Sequence, residues 1–550
     1  LSEPLTVPPF LAANVARLLP IAREGRLGRL RRGIEKEGLR VDTEGHIAQT
    51  PHPKTLGSKL THPHITTDYS EALLEYITPV YSQPREALAF LGDLQAFSYR
   101  YLEDEWIWPA SMPARLSGND SVPIADYGTS NIGTMKHVYR KGLDVRYGRI
   151  MQAIAGVHYN VSLPDSMWQV LQTLEGQERV SLNDYRSTRY FGLIRNFRRH
   201  SWLLLYLFGA SPAIDKSFLP RGDAPETVPE KLKPLDDETY YAPYATTLRM
   251  SDLGYQNKVQ EQLKICFNSL SNYVNTLRHA ISSPWPDYEK MGVNVDGDWR
   301  QLNANILQIE NEYYSDIRPK RVTKHNETPS QALEARGVEY IEVRCLDLNP
   351  FDPLGVTETQ IRFIDAFLMW CLLSESPWIS DEECDRLDDN RRLVVERGRD
   401  PRLTLTRDGE ATSVGAWGEQ IFAEMNEVAT LLDATEEGAP HAEAIAALAP
   451  SLQDPALTPS AQILARLEQN EVSFSELMLT LAKEQGEQLR HQPMLRAREA
   501  LLDQLVETSH QQQRDIEVAD QERFSDFLAD YFASARENRA LTSLHNEASS

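Results

Sequence analysis

Glu35 and Glu37 stand two residues apart in Ile34-Glu35-Lys36-Glu37-Gly38. On an extended chain such residues project to one side, so the two carboxylates point together while Ile34 and Lys36 point away. Side by side they repel unless a cation lies between them, so the pair reads as a divalent-metal site or as a solvated acidic edge. Glu75 sits inside the apolar Ala72-Leu73-Leu74-Glu75-Tyr76-Ile77 and needs an arginine or a metal ion to be buried there. Asp68 is its first candidate co-ligand and Glu71 the alternative. In Val157-His158-Tyr159-Asn160-Val161-Ser162 alternation puts His158, Asn160 and Ser162 on one face. Such a strand carries a packing histidine or faces something polar. Glu342 and Arg344 in Tyr340-Ile341-Glu342-Val343-Arg344-Cys345 also share a face. They fit a metal ligand beside a guanidinium that clamps a phosphoryl group, or a simple ion pair.

The chain contains no glycine-rich loop of the P-loop type, so bound ATP would be held through metal ions and arginines. Magnesium suits the carboxylate set, being a hard cation that bridges protein to substrate phosphates. The histidine admits manganese as well.

Strands are expected over 33–41, 73–80, 156–163, 303–313 and 339–347, from β-branched and aromatic residues alternating with polar ones. Helices are expected near the N-terminus, where Leu11, Val15, Leu18 and Ile21 recur at helical spacing, and over 87–103, 185–207 and 258–281. Six prolines from Pro212 to Pro243 forbid a regular helix or central strand there and suggest a surface excursion or lid. Beyond about residue 380 the pattern turns to acidic, Leu/Ala-rich helices such as 413–432 and 495–507. A chain of 550 residues is too long for one ordinary core. The expected organisation is a catalytic domain over 1–380 and a helical elaboration over 381–550 packed on it.

The net charge of −23 argues against a nucleic-acid binder. It does not exclude an anionic substrate, because metal ions on clustered carboxylates invert the local field. Cys266, Cys345, Cys371 and Cys384 lack zinc-ligand spacing and fit structural thiols in a reducing compartment. No apolar run is long enough to span a bilayer and no secretory signal is evident, so a cytoplasmic protein without membrane association is expected.

RGIEKEGLRV, LGSKLTHPHITTDYSEALLEYITPV, YGTSNIGTMKHVYRKGL, GVHYNVSLP, YLFGASPAI, YYAPYATTLRMSDLGY, LQIENEYYSDIRPKR and GVEYIEVRCLDLNPF follow one another through the first 380 residues. In that order they resemble the proteobacterial type of glutamate-cysteine ligase, itself related to glutamine synthetase and the guanidino kinases. The resemblance implies an α+β fold with a largely antiparallel, curved active-site sheet flanked by helices. It implies ligation of L-cysteine to the γ-carboxylate of L-glutamate with ATP, through a γ-glutamyl phosphate, as the first step of glutathione synthesis. It further implies magnesium or manganese on Glu35, Glu37, Asp68, Glu75, His158 and Glu342, with Arg344 near the γ-phosphate and Arg249 near a substrate carboxylate or phosphoryl group. Tyr69, Tyr139, Tyr255 and Tyr314 stand where the family lines its cysteine pocket, Tyr69 at a position that can carry Phe. Arg140 and Asn160 complete the substrate-binding set, and a monomer is expected. The rival readings are a ligase of the same fold acting on another amine, a binding protein without turnover, and a metallohydrolase.

Overall fold

The computed structural model describes residues 7–219, 229–254, 263, 265, 267–324 and 327–533. Its centre is a seven-stranded sheet built from β1 (Arg31–Val41), β2 (Ile65–Thr67), β3 (Leu73–Ile77), β4 (Trp106–Ile107), β5 (Val157–Ser162), β6 (Ile317–Lys320) and β7 (Tyr340–Leu346). The strand order is β6-β7-β5-β1-β3-β2, with β4 paired to the far end of β1. Every pairing is antiparallel. The fold is therefore α+β with an antiparallel sheet, as the resemblance implied.

The eleven-residue β1 pairs with three strands, and its pleat sets the two faces of the sheet. Ile34, Tyr76, Tyr159, Ile341 and Val343 are buried on the back. Helices α1 (Pro9–Arg23), α2 (Pro84–Tyr99), α3 (Asn131–Tyr147), α4 (Leu182–His200) and α5 (Glu358–Leu373) precede the C-terminal region. Thr357 and Gln360 cap the start of α5 reciprocally, and the helix is buried on nearly all sides, as its apolar sequence requires. The Asp365 carboxylate of α5 reaches the back of the sheet, accepting a hydrogen bond from the Tyr159 hydroxyl (2.6 Å) and pairing with Arg32 (2.7 Å).

The C-terminal region contains α6 (Asp381–Arg397), α7 (Val414–Leu432) and α8 (Arg496–Ala519), with a hairpin of Thr404–Arg407 and Glu410–Ser413 between the first two. It is tied to the sheet through His441, whose Nδ1 lies 2.6 Å from Asp433 and whose Nε2 lies 3.7 Å from Asp365. On the opposite side α8 reaches the loop before β2, where the Ser58 hydroxyl donates to Gln513 (2.6 Å) and the Thr61 hydroxyl to the Ser509 carbonyl (2.6 Å).

The strand expected over 303–313 is absent; that segment is irregular, with one 3-10 turn at Glu310–Glu312. Its backbone groups are satisfied partly by its own side chains and partly by the chain at 280–285, where the Ser283 and Ala280 carbonyls accept from the Ile306 (2.9 Å) and Leu307 (3.1 Å) amides. Gln308 accepts from the Leu302 amide (3.0 Å), Asn303 donates to the Gln308 carbonyl (2.8 Å), and Glu312 accepts from the Gln308 amide (2.6 Å). The helix expected over 185–207 is two, broken at Ser201. Of the helix expected over 258–281, the described part starts at Leu270 behind a Ser269 cap, and 258–262 lie outside the described residues. The proline-rich excursion supplies a small sheet of Ala213–Asp215, Lys233–Pro234 and Thr239–Tyr241, with 220–228 outside the described residues. Among the described residues no helix is long and apolar enough to cross a membrane.

Candidate active site

The cross-strand register converts separate sequence pairs into one constellation. Glu35 stands opposite His158 on β5, Glu37 opposite Glu75 on β3, and Glu342 on β7 opposite Asn160. The His158 ring is 5% exposed and lies among three carboxylates. Its Nδ1 is 3.1 Å from Glu35 and 4.0 Å from Glu342, and its Nε2 is 3.6 Å from Glu37. Asn160 donates to the other oxygen of Glu35 (2.8 Å), and the Gly156 amide donates to Glu37 (2.7 Å). Donor atoms of Glu35, Glu75 and His158 lie within 4.8 Å of one another.

The electrostatics of this face are uneven. Burial would raise the Glu342 carboxyl, but Lys320 (3.4 Å) and Arg344 (3.2 Å) hold it well below the usual range. Burial works against Glu35 as well, and there the His158 hydrogen bond prevails and lowers it. Glu37 is pushed up by burial, against the pull of His158. Glu75 is pushed well up by burial and by the neighbouring Glu35 and Asp68 carboxylates. Neither Glu75 nor Asp68 has a side-chain hydrogen bond or ion pair among the described residues, so this edge carries more negative charge than the protein neutralises. Hard-oxygen ligands with one imidazole, crowded in this way, fit divalent magnesium or manganese.

Glu71, the alternative to Asp68, is committed elsewhere. Both its oxygens lie 2.6 Å from Lys59, and it accepts from the His52 and Asp126 amides. Asp68 instead lines a cavity of about 130 Å³ beside the carboxylates, together with Glu37, His158 and Arg344. The Asp68 carbonyl accepts from Arg140 Nε (2.6 Å) and from the Tyr127 hydroxyl (3.0 Å), and the Arg140 guanidinium lies 4.5 Å from the centre of the Tyr127 ring. Tyr69, Tyr139, Tyr147 and Tyr314 wall the cavity, and Arg249 and Arg318 add positive charge to it. The Tyr69 hydroxyl is buried without a hydrogen-bond partner among the described residues.

Arg249 is 1% exposed, which rules out its reading as a surface charge. It donates to the Arg344 carbonyl (3.0 Å) and lies 3.7 Å from Asp347, which is itself fixed by the Ala210 amide and the Thr247 hydroxyl. A Cβ at Gly156 would meet Arg249 Nη2 at 2.3 Å, so only glycine lets the guanidinium come this close to β5. The register of β7 against β5 shifts between Val343 and Leu346, next to Arg344, whose guanidinium lies 3.2 Å from Glu342. A larger cavity, about 570 Å³, lies elsewhere, walled by α1, α4–α7 and the hairpin, and takes no side chain from the carboxylate face.

Residues 16–394 match the glutamate-cysteine ligase family model. The chain belongs to the glutamate-cysteine ligase family. It is 51% identical over 502 residues to the glutamate-cysteine ligase of Pseudomonas putida strain W619, covering 91% of this chain and 94% of the relative. A Pseudomonas aeruginosa relative of the same name, strain LESB58, is 50% identical over the same length. The solved glutamate-cysteine ligase of Francisella tularensis in complex with AMP superposes with a TM-score of 0.86 at 35% identity, covering 92% of this chain and 98% of that one. A bifunctional glutathione synthetase from Pasteurella multocida gives a TM-score of 0.68 at 25% identity over 88% of this chain and 55% of its own.

Of the residues that the ligase resemblance singles out, Glu37, Asp68, Tyr69, Tyr139, Arg140, His158, Arg249, Tyr314 and Arg344 line the one cavity. Glu35, Glu75, Asn160 and Glu342 lie alongside on the sheet face, Asn160 turned to Glu35. Tyr255 lies outside the described residues. Arg318, Lys320 and Glu312 were not foreseen. Arg318 stands opposite Glu342, and Lys320, two residues on, shares its face. Alternation in Ile317-Arg318-Pro319-Lys320 carried that signal. Glu312, which accepts from Arg146 (3.0 Å) and the Tyr147 hydroxyl (2.6 Å), sits in an irregular loop where spacing says nothing.

Proposed function

We propose that this protein joins L-cysteine to the γ-carboxylate of L-glutamate, with ATP converted to ADP and phosphate. The convergence of Glu35, Glu37, Glu75, His158 and Glu342 on one sheet face, with Arg344 beside them and an arginine- and tyrosine-walled cavity adjoining, carries this reading. Family membership supports it. In the reaction the γ-carboxylate attacks the γ-phosphorus, giving γ-glutamyl phosphate and ADP. The cysteine amine, after losing a proton, then attacks the acyl carbon and expels phosphate.

Glu35, Glu37, Asp68, Glu75, His158 and Glu342 would hold the magnesium. When bound, the metal neutralises phosphate oxygens and orients the polyphosphate. Arg344, anchored by Glu342, presents a fixed guanidinium to the transferring phosphoryl group, with the geometry set before reaction. Arg249, held under Arg344 by its carbonyl, places a second guanidinium for a substrate carboxylate or phosphoryl oxygen. Tyr69, Tyr139 and Tyr314 form the wall against which the cysteine side chain packs, and Tyr255 belongs to the same reading.

The same reading divides the chain into a catalytic domain, 1–380, and a helical elaboration, 381–550, and makes the protein a cytoplasmic monomer. Its test is the product of ATP, magnesium, glutamate and cysteine incubated with purified protein. γ-Glutamylcysteine with stoichiometric ADP is expected. Equal turnover with 2-aminobutyrate or small amines would replace cysteine by a broader amine class, and phosphate release without any amine would point to a hydrolase.

A further inference from the structure

The wall of the cavity rests on a part of the chain far from it in sequence. Helix α3 contributes Tyr139, Arg140, Leu143 and Tyr147 to the cavity. An adjoining face buries Met135 and Val138 in a separate apolar cluster with Leu302 and Leu528, and Tyr139 and Ile309 pack against the same cluster. Phe524, Phe527, Tyr531 and Phe532 cover it, on a helix that begins at 524, and Phe524 meets Trp299 edge to face at 5.1 Å. Tyr139 thus lines the cavity and also packs against the cluster that the C-terminal aromatic residues cover.

The same segment fixes the start of α3. Asp520 accepts from the Asn131 backbone amide and from its side-chain nitrogen (2.6 Å), and Asn131 also donates to the Glu522 carbonyl (3.0 Å). Glu517 accepts from the Thr129 amide (3.0 Å). Carboxylates at a helix N-terminus are favoured both by the exposed amides and by the helix dipole. The cap sets the position of α3 along its axis and the aromatic cluster sets its rotation.

We infer that the segment from Asp520 to Phe532 is a positioning element for the amine pocket, holding α3 so that Tyr139 and Arg140 stand at the width that accepts the cysteine side chain. This rests on the reading of the cavity given above. The segment does not belong to the sheet strands that carry the carboxylates, so loosening it acts on the amine substrate and spares ATP. Substrate selectivity is thereby supplied from beyond residue 394, where the family model ends.

The test uses full-length Phe527→Ala and Asp520→Asn, with Phe527→Leu as the conservative variant. Phe527→Ala should raise KM for cysteine at least about fivefold, with KM for ATP and for glutamate within about twofold. Asp520→Asn should move KM for cysteine the same way by about two- to threefold, and Phe527→Leu should restore most of the loss. If KM for cysteine stays within twofold of wild type, or if all three KM values and kcat shift together, the inference is wrong. An aggregated Phe527→Ala leaves Asp520→Asn to decide, and a cysteine KM at the wild-type value in that variant overturns it. Wild-type protein that makes no γ-glutamylcysteine would instead remove the proposed function beneath it.

Discussion

The two sides of the site are built in opposite ways. The carboxylate side lies on β1, β3, β5 and β7, where ladder hydrogen bonds fix each residue and the pleat decides which way it points. The wall opposite comes from α3, the loop around Glu312 and the turn that carries Arg249, whose placement depends on side-chain bonds such as Arg140 to the Asp68 carbonyl and Glu312 to Arg146. The contrast teaches a division of labour. On the proposed function, the rigid sheet would hold charge in a geometry that costs no rearrangement during phosphoryl transfer, and the irregular wall would carry the discrimination among substrates.

If that division is real, damage to the sheet side should abolish turnover and damage to the wall should alter substrate preference. The largest effect is expected for Glu35→Gln and Glu342→Gln. Each keeps the shape and removes a ligand charge, and should lower ADP release dependent on glutamate and cysteine by about 100-fold or more. Near-normal rates in either variant would end the metal-ligand assignment. Arg344→Lys comes next. It keeps the charge but loses the planar fork that lies against Glu342 and His158, so kcat should fall about 10- to 100-fold with KM for cysteine little changed. A cysteine KM that rises in step would place Arg344 on the wrong side of the comparison.

Smaller effects sharpen the contrast through stability. Burial would lower His441, but the Asp365 carboxylate 3.7 Å from its Nε2 and the hydrogen bond with Asp433 (2.6 Å) raise it above the ordinary value of 6.5. A histidine raised on folding stabilises fully below its unfolded value, and the stabilisation is lost as pH climbs through the folded value. Urea unfolding should therefore show His441→Gln more destabilising at pH 6 than at pH 9. Equal destabilisation at both would mean that the imidazole stays neutral behind the sheet. The smallest effect belongs to Tyr69→Phe. Removing a buried hydroxyl that lacks a partner among the described residues should leave stability unchanged or raise it by about 1 kcal/mol, with kcat near wild type. A large drop in kcat would show that the hydroxyl bonds the reacting groups.

The sheet side was largely legible in the sequence because alternation is a local rule. Glu35 with Glu37, His158 with Asn160 and Glu342 with Arg344 each declare a shared face within three residues. What alternation could not supply was register, and register is what sets Glu35 against His158 and Glu37 against Glu75. Nor could it separate Asp68 from Glu71, of which Glu71 is engaged by Lys59 and two backbone amides arriving from elsewhere. The wall was harder to read. The segment 303–313 looks like a strand until Asn303, Gln308 and Glu312 are seen to bond its backbone, and Phe524 gives no hint that it lies beside Trp299.

The measurement that bears most directly on the central claim follows one oxygen atom. Glutamate labelled with 18O in its γ-carboxylate is incubated with the protein, ATP, magnesium and cysteine, and the released phosphate and the peptide are analysed by mass spectrometry. Transfer of one 18O into phosphate, in step with γ-glutamylcysteine and only when cysteine is present, is the predicted result. Unlabelled phosphate, or phosphate released at the same rate without cysteine, would contradict it.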